Sequence, residues 1–208
     1  IHAAEDFVHA DYPLDVEALL IVELDGPQVE VDHLIERVSQ IAQANKSSTL
    51  RISTSEDERM LFWAGRKAAF PAVGRISPDY LCMDGTIPKK QLPYVLKRID
   101  ELSEKFKLQC ANVFHAGDGN LHPLIMFDAN EGDQDERAEA YGAAILELCV
   151  EVGGTITGEH GVGMEKINQM CVQFSREELN AFSAVKRAFD PAGLLNPEKV
   201  IPTLRRCA

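Results

Sequence analysis

The sequence lacks any apolar run that approaches the roughly 20 residues needed by a membrane-spanning helix. It also lacks a CxxC pair, and its 5 cysteines are an odd number, which argues against a disulfide scaffold and a cysteine-based zinc site. Reduced, buried thiols of a cytosolic protein are the simpler interpretation. Basic residues are few, since 21 lysines and arginines stand against 33 acidic residues and give a net charge of −12. Because so acidic a chain repels a phosphate backbone, we expect no nucleic-acid partner.

The rest of the composition is that of an ordinary globular protein. Hydrophobic residues make up 45% and charged residues 26% of the 208 positions, which excludes disorder, collagen and coiled coil as the main description. The length suits one domain or one and a half. The chain begins at Ile1 without a methionine or a signal-peptide pattern, so we expect a fragment or a processed chain.

Strand and helix patterns alternate along the chain. Apolar and β-branched runs predict strands at 16–24, 48–53, 79–85, 110–116 and 121–128. Helical spacing of apolar residues predicts helices over 28–45, 56–69 and 134–151, one after Pro88, and one that begins at the capping box of Ser175 and Glu178.

The glycine-rich segment 117–120 predicts a hairpin between the last two strands. A hairpin favours an α+β fold, in which helices pack on an antiparallel sheet. We therefore expect a ferredoxin-like arrangement followed by a C-terminal helical segment. A doubly wound parallel sheet is the competing fold, but no strand is followed by a phosphate-binding glycine loop.

Histidines and one carboxylate suggest a metal site. His115 and His122 flank the hairpin turn in HAGDGNLH, and His160 follows Glu159 in GEHGVG. Two imidazoles and a carboxylate are a three-ligand set with an open position, as in catalytic zinc, manganese or iron sites. The pattern predicts His115, His122 and Glu159 as ligands, with His160 free to take a proton. Structural histidines in simple turns are the alternative.

A basic segment offers a second kind of binding group. Arg66 and Lys67 lie in WAGRKAAFPAVGR. An arginine fork can hold a substrate carboxylate with two parallel hydrogen bonds. The alternative is that both cations belong to the solvated C-terminal end of a helix, where positive charge is favoured.

Three motifs, in order, resemble one known family. HAGDGNLHP (115–123), GGTITGEHGVG (153–163) and FDPAGLLNPEKV (189–200) resemble the C-terminal part of FAD-linked 2-hydroxy-acid oxidases and dehydrogenases of the vanillyl-alcohol oxidase type. The glycolate-oxidising members are the most similar. The resemblance implies that residues 1–15 lead in from a missing N-terminal FAD-binding domain. It also implies that 16–208 form the substrate-binding cap domain, with a C-terminal tail that faces the flavin.

The resemblance also implies roles for individual residues. The residues that would bind the family's divalent metal, which would be zinc, manganese or iron, are His115, His122 and Glu159. The proton-accepting base is then His160, and the arginine that binds the substrate carboxylate is Arg66. Asn196 of LLNP lies by the FAD, most of whose contacts belong to the missing domain.

The implied reaction is the metal-assisted oxidation of a small D-2-hydroxy acid, glycolate or D-lactate, to the 2-oxo acid. The fragment alone is expected to be inactive. Expected partners are the substrate, the FAD domain of the same full-length chain and other oxidase subunits. The expected location is the cytoplasm, with attachment to a membrane surface as a variant. A metal-dependent hydrolase and a non-catalytic interaction module are the alternative functions.

Overall fold

The computed structural model describes residues 1–203 and Cys207. The chain divides into two compact units, Ile1–Ile76 and Ser77–Ala208.

The first unit is helical. Its helices are α1 (His2–Val8), α2 (Gln28–Ala44) and α3 (Glu56–Val73). The structure confirms α2 nearly residue for residue. The Ser55 hydroxyl caps α3 by accepting a hydrogen bond from the Glu58 N–H at 3.2 Å. The helix continues past Pro71, so the predicted end at residue 69 is wrong; the buried Ala72 and Val73 extend its apolar face by one turn.

The strands predicted at 16–24 and 48–53 are wrong. Neither segment forms a strand or a helix in the structure. A β-branched segment becomes a strand only where its N–H and C=O groups pair with a neighbour, because packing rather than intrinsic preference decides strand formation. Leu20, in the first segment, is 71% exposed, as expected for an extended segment without a sheet around it.

The second unit has short strands, four α-helices and a short 3-10 helix (Lys89–Gln91) in its described part. The strands are β1 (Asp79–Cys82), β2 (Gly85–Thr86), β3 (Cys110–Asn112), β4 (Asn120–Leu121) and β5 (Pro123–Phe127). The helices are α4 (Leu92–Phe106), α5 (Gln134–Glu151), α6 (Met170–Gln173) and α7 (Arg176–Phe189). The α4, α5 and α7 helices confirm the helices predicted from the spacing of apolar residues, and the Ser175–Glu178 capping box is present.

The sheet topology confirms the α+β class. One antiparallel sheet has the order β1–β5–β3, and a second pairs β2 with β4. The chain order β1–α4–β3–β5–α5, with β5 central, is that of the first five elements of a ferredoxin-like unit. Among the described residues no fourth strand joins the β1–β5–β3 sheet, and Thr155, after α5, makes an isolated bridge with Thr86.

The core lies between the helices and the central strand. Its buried side chains include Val95, Ile99, Ile125, Ile145 and Leu146. The Tyr141 ring stacks on Phe106 at 5.4 Å, and its buried hydroxyl donates to the Ile99 carbonyl at 2.8 Å. This packing fixes α4 and α5 against β5, the strand that follows the histidine hairpin.

The predicted hairpin is present with shorter strands. Beyond β3 the chain is held by the Val113 N–H to the His122 carbonyl at 3.3 Å and the His115 N–H to the Asn120 carbonyl at 3.0 Å. The predicted strand 79–85 is split at Met83 and Asp84, which separate β1 from β2. No helix in the described part is long and apolar enough to cross a bilayer.

The expectation of five reduced thiols is wrong for two of them. Cys171 and Cys207 form a disulfide, whereas Cys82, Cys110 and Cys149 are free. Burial raises the pKa of the Cys110 and Cys149 thiols to about 12 and that of Cys82 to about 11. Thiolates are the reactive species, so these three groups are expected to be inert in the folded chain.

Alkylation counted by mass spectrometry tests this assignment. We expect three modified cysteines in denaturant without reductant and five after reduction. In the folded chain at pH 8, modification of the three free thiols is expected to be slow, because few of them are ionised. Five modified cysteines without reductant would contradict the disulfide.

Candidate metal and substrate site

The second unit brings three predicted ligands together. Each residue offers one potential ligand atom, and these three atoms, from His115, His122 and Glu159, all lie within 4.8 Å of one another. His122 is buried, whereas His115 and Glu159 are exposed. The cluster therefore opens to solvent on one side and rests on the core on the other.

The hairpin turn places the two histidines. His115 precedes the turn, and His122 comes directly after β4. Gly119 has φ +76°, and a Cβ at this position would lie 2.3 Å from the Ile87 carbonyl oxygen. Only glycine fits this close approach without strain. The His115 and His122 rings meet edge to face, with centroids 5.6 Å apart.

The loop 157–160 delivers the carboxylate and the third histidine. Glu159 Oε1 lies 2.8 Å from His122 Nε2 and accepts a hydrogen bond from the Asn120 side-chain amide at 3.2 Å. The His160 ring stacks on His122 with centroids 5.0 Å apart. His122 is thus the centre of the group, since both other histidine rings contact it and the carboxylate lies within hydrogen-bond reach.

Electrostatics favour a neutral His122. Burial lowers the pKa of this imidazole, and the nearby Glu159 carboxylate opposes that effect only in part. The neutral imidazole is the form that ligates metals. The pKa shift and the cluster geometry are therefore compatible with the same chemistry.

Sequence reasoning missed Asp84 and Lys166. Asp84 is fully buried, and its carboxylate accepts hydrogen bonds from the backbone of the loop 157–160. Lys166 is also buried and lies 3.3 Å from Asp84 Oδ2. One signal was available, because an aspartate inside an apolar predicted strand must find buried donors or ionic partners.

Arg66 lies in the first unit. It is half-buried and inside α3, seven residues before the last residue of that helix. The interpretation of Arg66 as part of a solvated helix end therefore does not fit the observed α3, since only exposed Lys67 has the surface character expected there. The role of Arg66 toward a substrate stays a prediction.

Asn196 lies in the tail that follows α7. The Asp190 carboxylate organises this tail by accepting hydrogen bonds from the Leu194 and Leu195 N–H groups, each at 2.9 Å. Phe189 and Leu194 are about four-fifths exposed, at 83% and 78%. The tail therefore carries an apolar surface around Asn196, which has φ 45°. Its role toward a flavin also stays a prediction.

Comparison with known proteins identifies the family. The model for FAD linked oxidases, C-terminal domain, matches residues 1–200. The chain belongs to this family. The resemblance drawn from the three motifs is thereby confirmed.

Individual members of the family are similar to this chain over most of its length. The chain is 62% identical over 208 residues to glycolate oxidase subunit GlcD of Escherichia coli K12, covering 100% of this chain and 42% of that protein. It is 34% identical over 196 residues to GlcD of Bacillus subtilis, covering 94% and 42%. It is 30% identical over 185 residues to mitochondrial D-lactate dehydrogenase [cytochrome] of Arabidopsis thaliana, covering 88% and 33%.

A solved structure supports the fold. The chain matches 4-ethylphenol oxidase from Gulosibacter chungangensis in its isoeugenol complex with a TM-score of 0.62 and 16% identity, over 86% of this chain and 38% of that one. At this identity the likeness concerns the fold alone. The chain spans about two fifths of the length of the glycolate oxidase relatives.

Gly158 tests how tightly the loop packs on the cluster. A Cβ here would lie 2.4 Å from Asn120 Oδ1 and 2.8 Å from Asp84 Oδ1, both on buried side chains. Gly158→Ala is therefore expected to lower the free energy of unfolding by about 1–3 kcal/mol, measured by urea denaturation.

Gly117→Ala is the matched control. This hairpin glycine has no atom within 4 Å of an added Cβ. We expect a change within about 0.5 kcal/mol, as for an ordinary surface substitution. Equal unfolding free energies for the two variants would show that the loop has room at Gly158.

Proposed function

We propose that this chain is the substrate-binding part of a flavin-dependent oxidase that converts a small D-2-hydroxy acid to the 2-oxo acid. The observation that carries this proposal is the cluster of His115, His122 and Glu159 with His160 stacked beside it. Membership of the FAD-linked oxidase family favours oxidation over metal-dependent hydrolysis and over a purely structural interaction module. Glycolate is the first candidate substrate and D-lactate the second, since relatives carry those names.

The donor set fits a divalent metal. Two imidazole nitrogens and one carboxylate oxygen suit zinc, manganese or iron and leave a coordination position open. Ligands of one ion with bonds near 2.1 Å lie at most about 4.2 Å apart, and the observed limit is 4.8 Å. The exposed His115 and Glu159 side chains can rotate to close that difference. Asn120 Oδ1, buried beside Glu159, has no hydrogen-bond partner among the described residues.

The chain's residues divide the work of the reaction. A bound metal would supply Lewis acidity toward the substrate hydroxyl and carboxylate, and FAD would supply the hydride acceptor. His115, His122 and Glu159 would hold the metal. His160 accepts the hydroxyl proton from the 2-hydroxy acid. The protein thus contributes ligand geometry, a base and orientation.

Two further residues complete the proposed substrate and flavin contacts. Arg66 holds the substrate carboxylate through its guanidinium fork. Asn196 lies by the flavin, and the exposed apolar side chains around it offer a surface that the flavin-binding domain can cover.

The domain plan extends the proposal beyond this chain. Residues 1–15 lead in from an FAD-binding domain of the same full-length chain, and 16–208 form the cap domain. Other oxidase subunits are further partners. A cytoplasmic location stays a prediction, and attachment to a membrane surface is the alternative.

Elemental analysis tests the metal site. We expect about one divalent ion per chain in untagged protein, lost in His115→Ala because two ligands hold a divalent ion much more weakly than three. His33→Ala, at an exposed histidine of α2, should keep the ion. Absence of metal in the unsubstituted chain, even after incubation with zinc or manganese, would contradict the site.

Turnover of the full-length protein tests the base. His160→Gln is expected to lower kcat for glycolate about 10²–10⁴-fold, with FAD and metal content unchanged. His33→Gln is the control and should turn over at the unsubstituted rate. If His160→Gln turned over at the unsubstituted rate, His160 could not be the base.

A further inference from the structure

One buried carboxylate gathers the whole loop that carries Glu159 and His160. Asp84 Oδ2 accepts hydrogen bonds from the N–H groups of Gly158 at 2.9 Å, Glu159 at 3.1 Å and His160 at 2.9 Å. The Thr157 hydroxyl donates to the same oxygen at 2.8 Å. Three consecutive backbone N–H groups thus converge on one anion, as in a backbone nest.

A buried lysine completes the arrangement. Lys166 is 1% exposed, and its Nζ donates to the Asp84 carbonyl at 2.9 Å, to Asp84 Oδ2 at 3.3 Å and to the Thr157 hydroxyl at 3.3 Å. The lysine therefore neutralises the carboxylate and ties the chain after the loop to its start. A buried ion pair adds little stability compared with well-packed apolar side chains, so stability alone is a weak explanation for it.

The Glu159 and His160 side chains are positioned mainly by contacts within the cluster. The Glu159 side chain is 53% exposed, and its described contacts are to His122 and Asn120. The backbone position of Glu159 then decides whether its carboxylate reaches His122. The same holds for His160, whose ring stacks on His122. Asp84 binds the N–H groups of these same two residues.

We propose that Asp84, paired with Lys166, is a positioning residue that holds Glu159 and His160 in register with His115 and His122. Asp84 acts mainly through the loop backbone, its Oδ1 also lies 3.8 Å from His122 Nε2, and it needs no contact with the substrate. This inference rests on the proposed metal site and adds to it the group that preorganises one ligand and the base. Groups that orient metal ligands in this way change metal affinity about 10–100-fold when they are removed.

Zinc affinity measured against a chromophoric chelator tests the assignment. In Asp84→Asn the amide keeps the size but presents a donor where the loop N–H groups need an acceptor. We expect zinc to bind about 10–100-fold more weakly. Asp190→Asn is the matched control, because Asp190 is also buried and accepts two backbone N–H groups and a lysine. Its zinc affinity should stay within about twofold of the unsubstituted chain.

A double variant separates positioning from folding. Asp84→Asn leaves Lys166 buried without its anionic partner, which lowers stability. Adding Lys166→Met removes that unpaired charge, so the melting temperature should recover while the zinc affinity stays low. Recovery of both quantities together would reduce Asp84 to a structural role and overturn the proposal.

The remaining outcomes distinguish the two proposals. If the unsubstituted chain and Asp84→Asn bound zinc with equal affinity, the positioning role of Asp84 would be contradicted and the metal site would stand. No zinc bound by the unsubstituted chain would count against the metal site and, with it, against this role for Asp84. Amide hydrogen exchange at residues 158–160 gives a second readout, and we expect protection that disappears in Asp84→Asn.

Discussion

The hydrogen bonds between the Asp84 carboxylate and the loop 157–160 are the constraint on which the candidate site depends. Burial opposes ionisation of Asp84, but the His160 and Gly158 N–H groups, the Thr157 hydroxyl and Lys166 outweigh it and hold the pKa below its usual range. Because the pKa is lowered in the folded state, this interaction stabilises the fold at neutral pH, and its contribution is lost progressively as the pH falls below the ordinary pKa of an aspartate. Without these donors the buried charge would cost several kcal/mol.

The two halves of the cluster are held by different kinds of interaction. His115 and His122 follow the hairpin, whose backbone ladder continues into β5 and so into the core beneath α4 and α5. Glu159 and His160 lie on a loop without regular structure, which the Asp84 anchor holds in its place. The histidine hairpin is therefore fixed by sheet and core packing, and the glutamate loop by buried electrostatics.

Local patterns in the sequence predicted the histidine half of the cluster well. The spacing of HAGDGNLH and its glycines define a turn within eight residues, so His115 and His122 could be placed from the sequence alone. Asp84 lies 73–76 residues from its loop partners, and no periodicity encodes such a contact. Strand propensity failed at 16–24 for the same reason, because a strand needs a partner that its own residues do not specify. The Cys171–Cys207 disulfide likewise joins positions 36 apart.

Anchoring Glu159 and His160 by their backbone N–H groups leaves the side chains of these two residues available for chemistry. The N–H groups of Glu159 and His160 point to Asp84, and their side chains point to His122. A side-chain anchor at either residue would consume the group that the proposed reaction needs. Gly158 satisfies the remaining requirement, since any Cβ there would enter the space of Asn120 and Asp84. Geometry therefore requires a glycine at 158, and the two residues that follow it carry the carboxylate and the imidazole of the cluster.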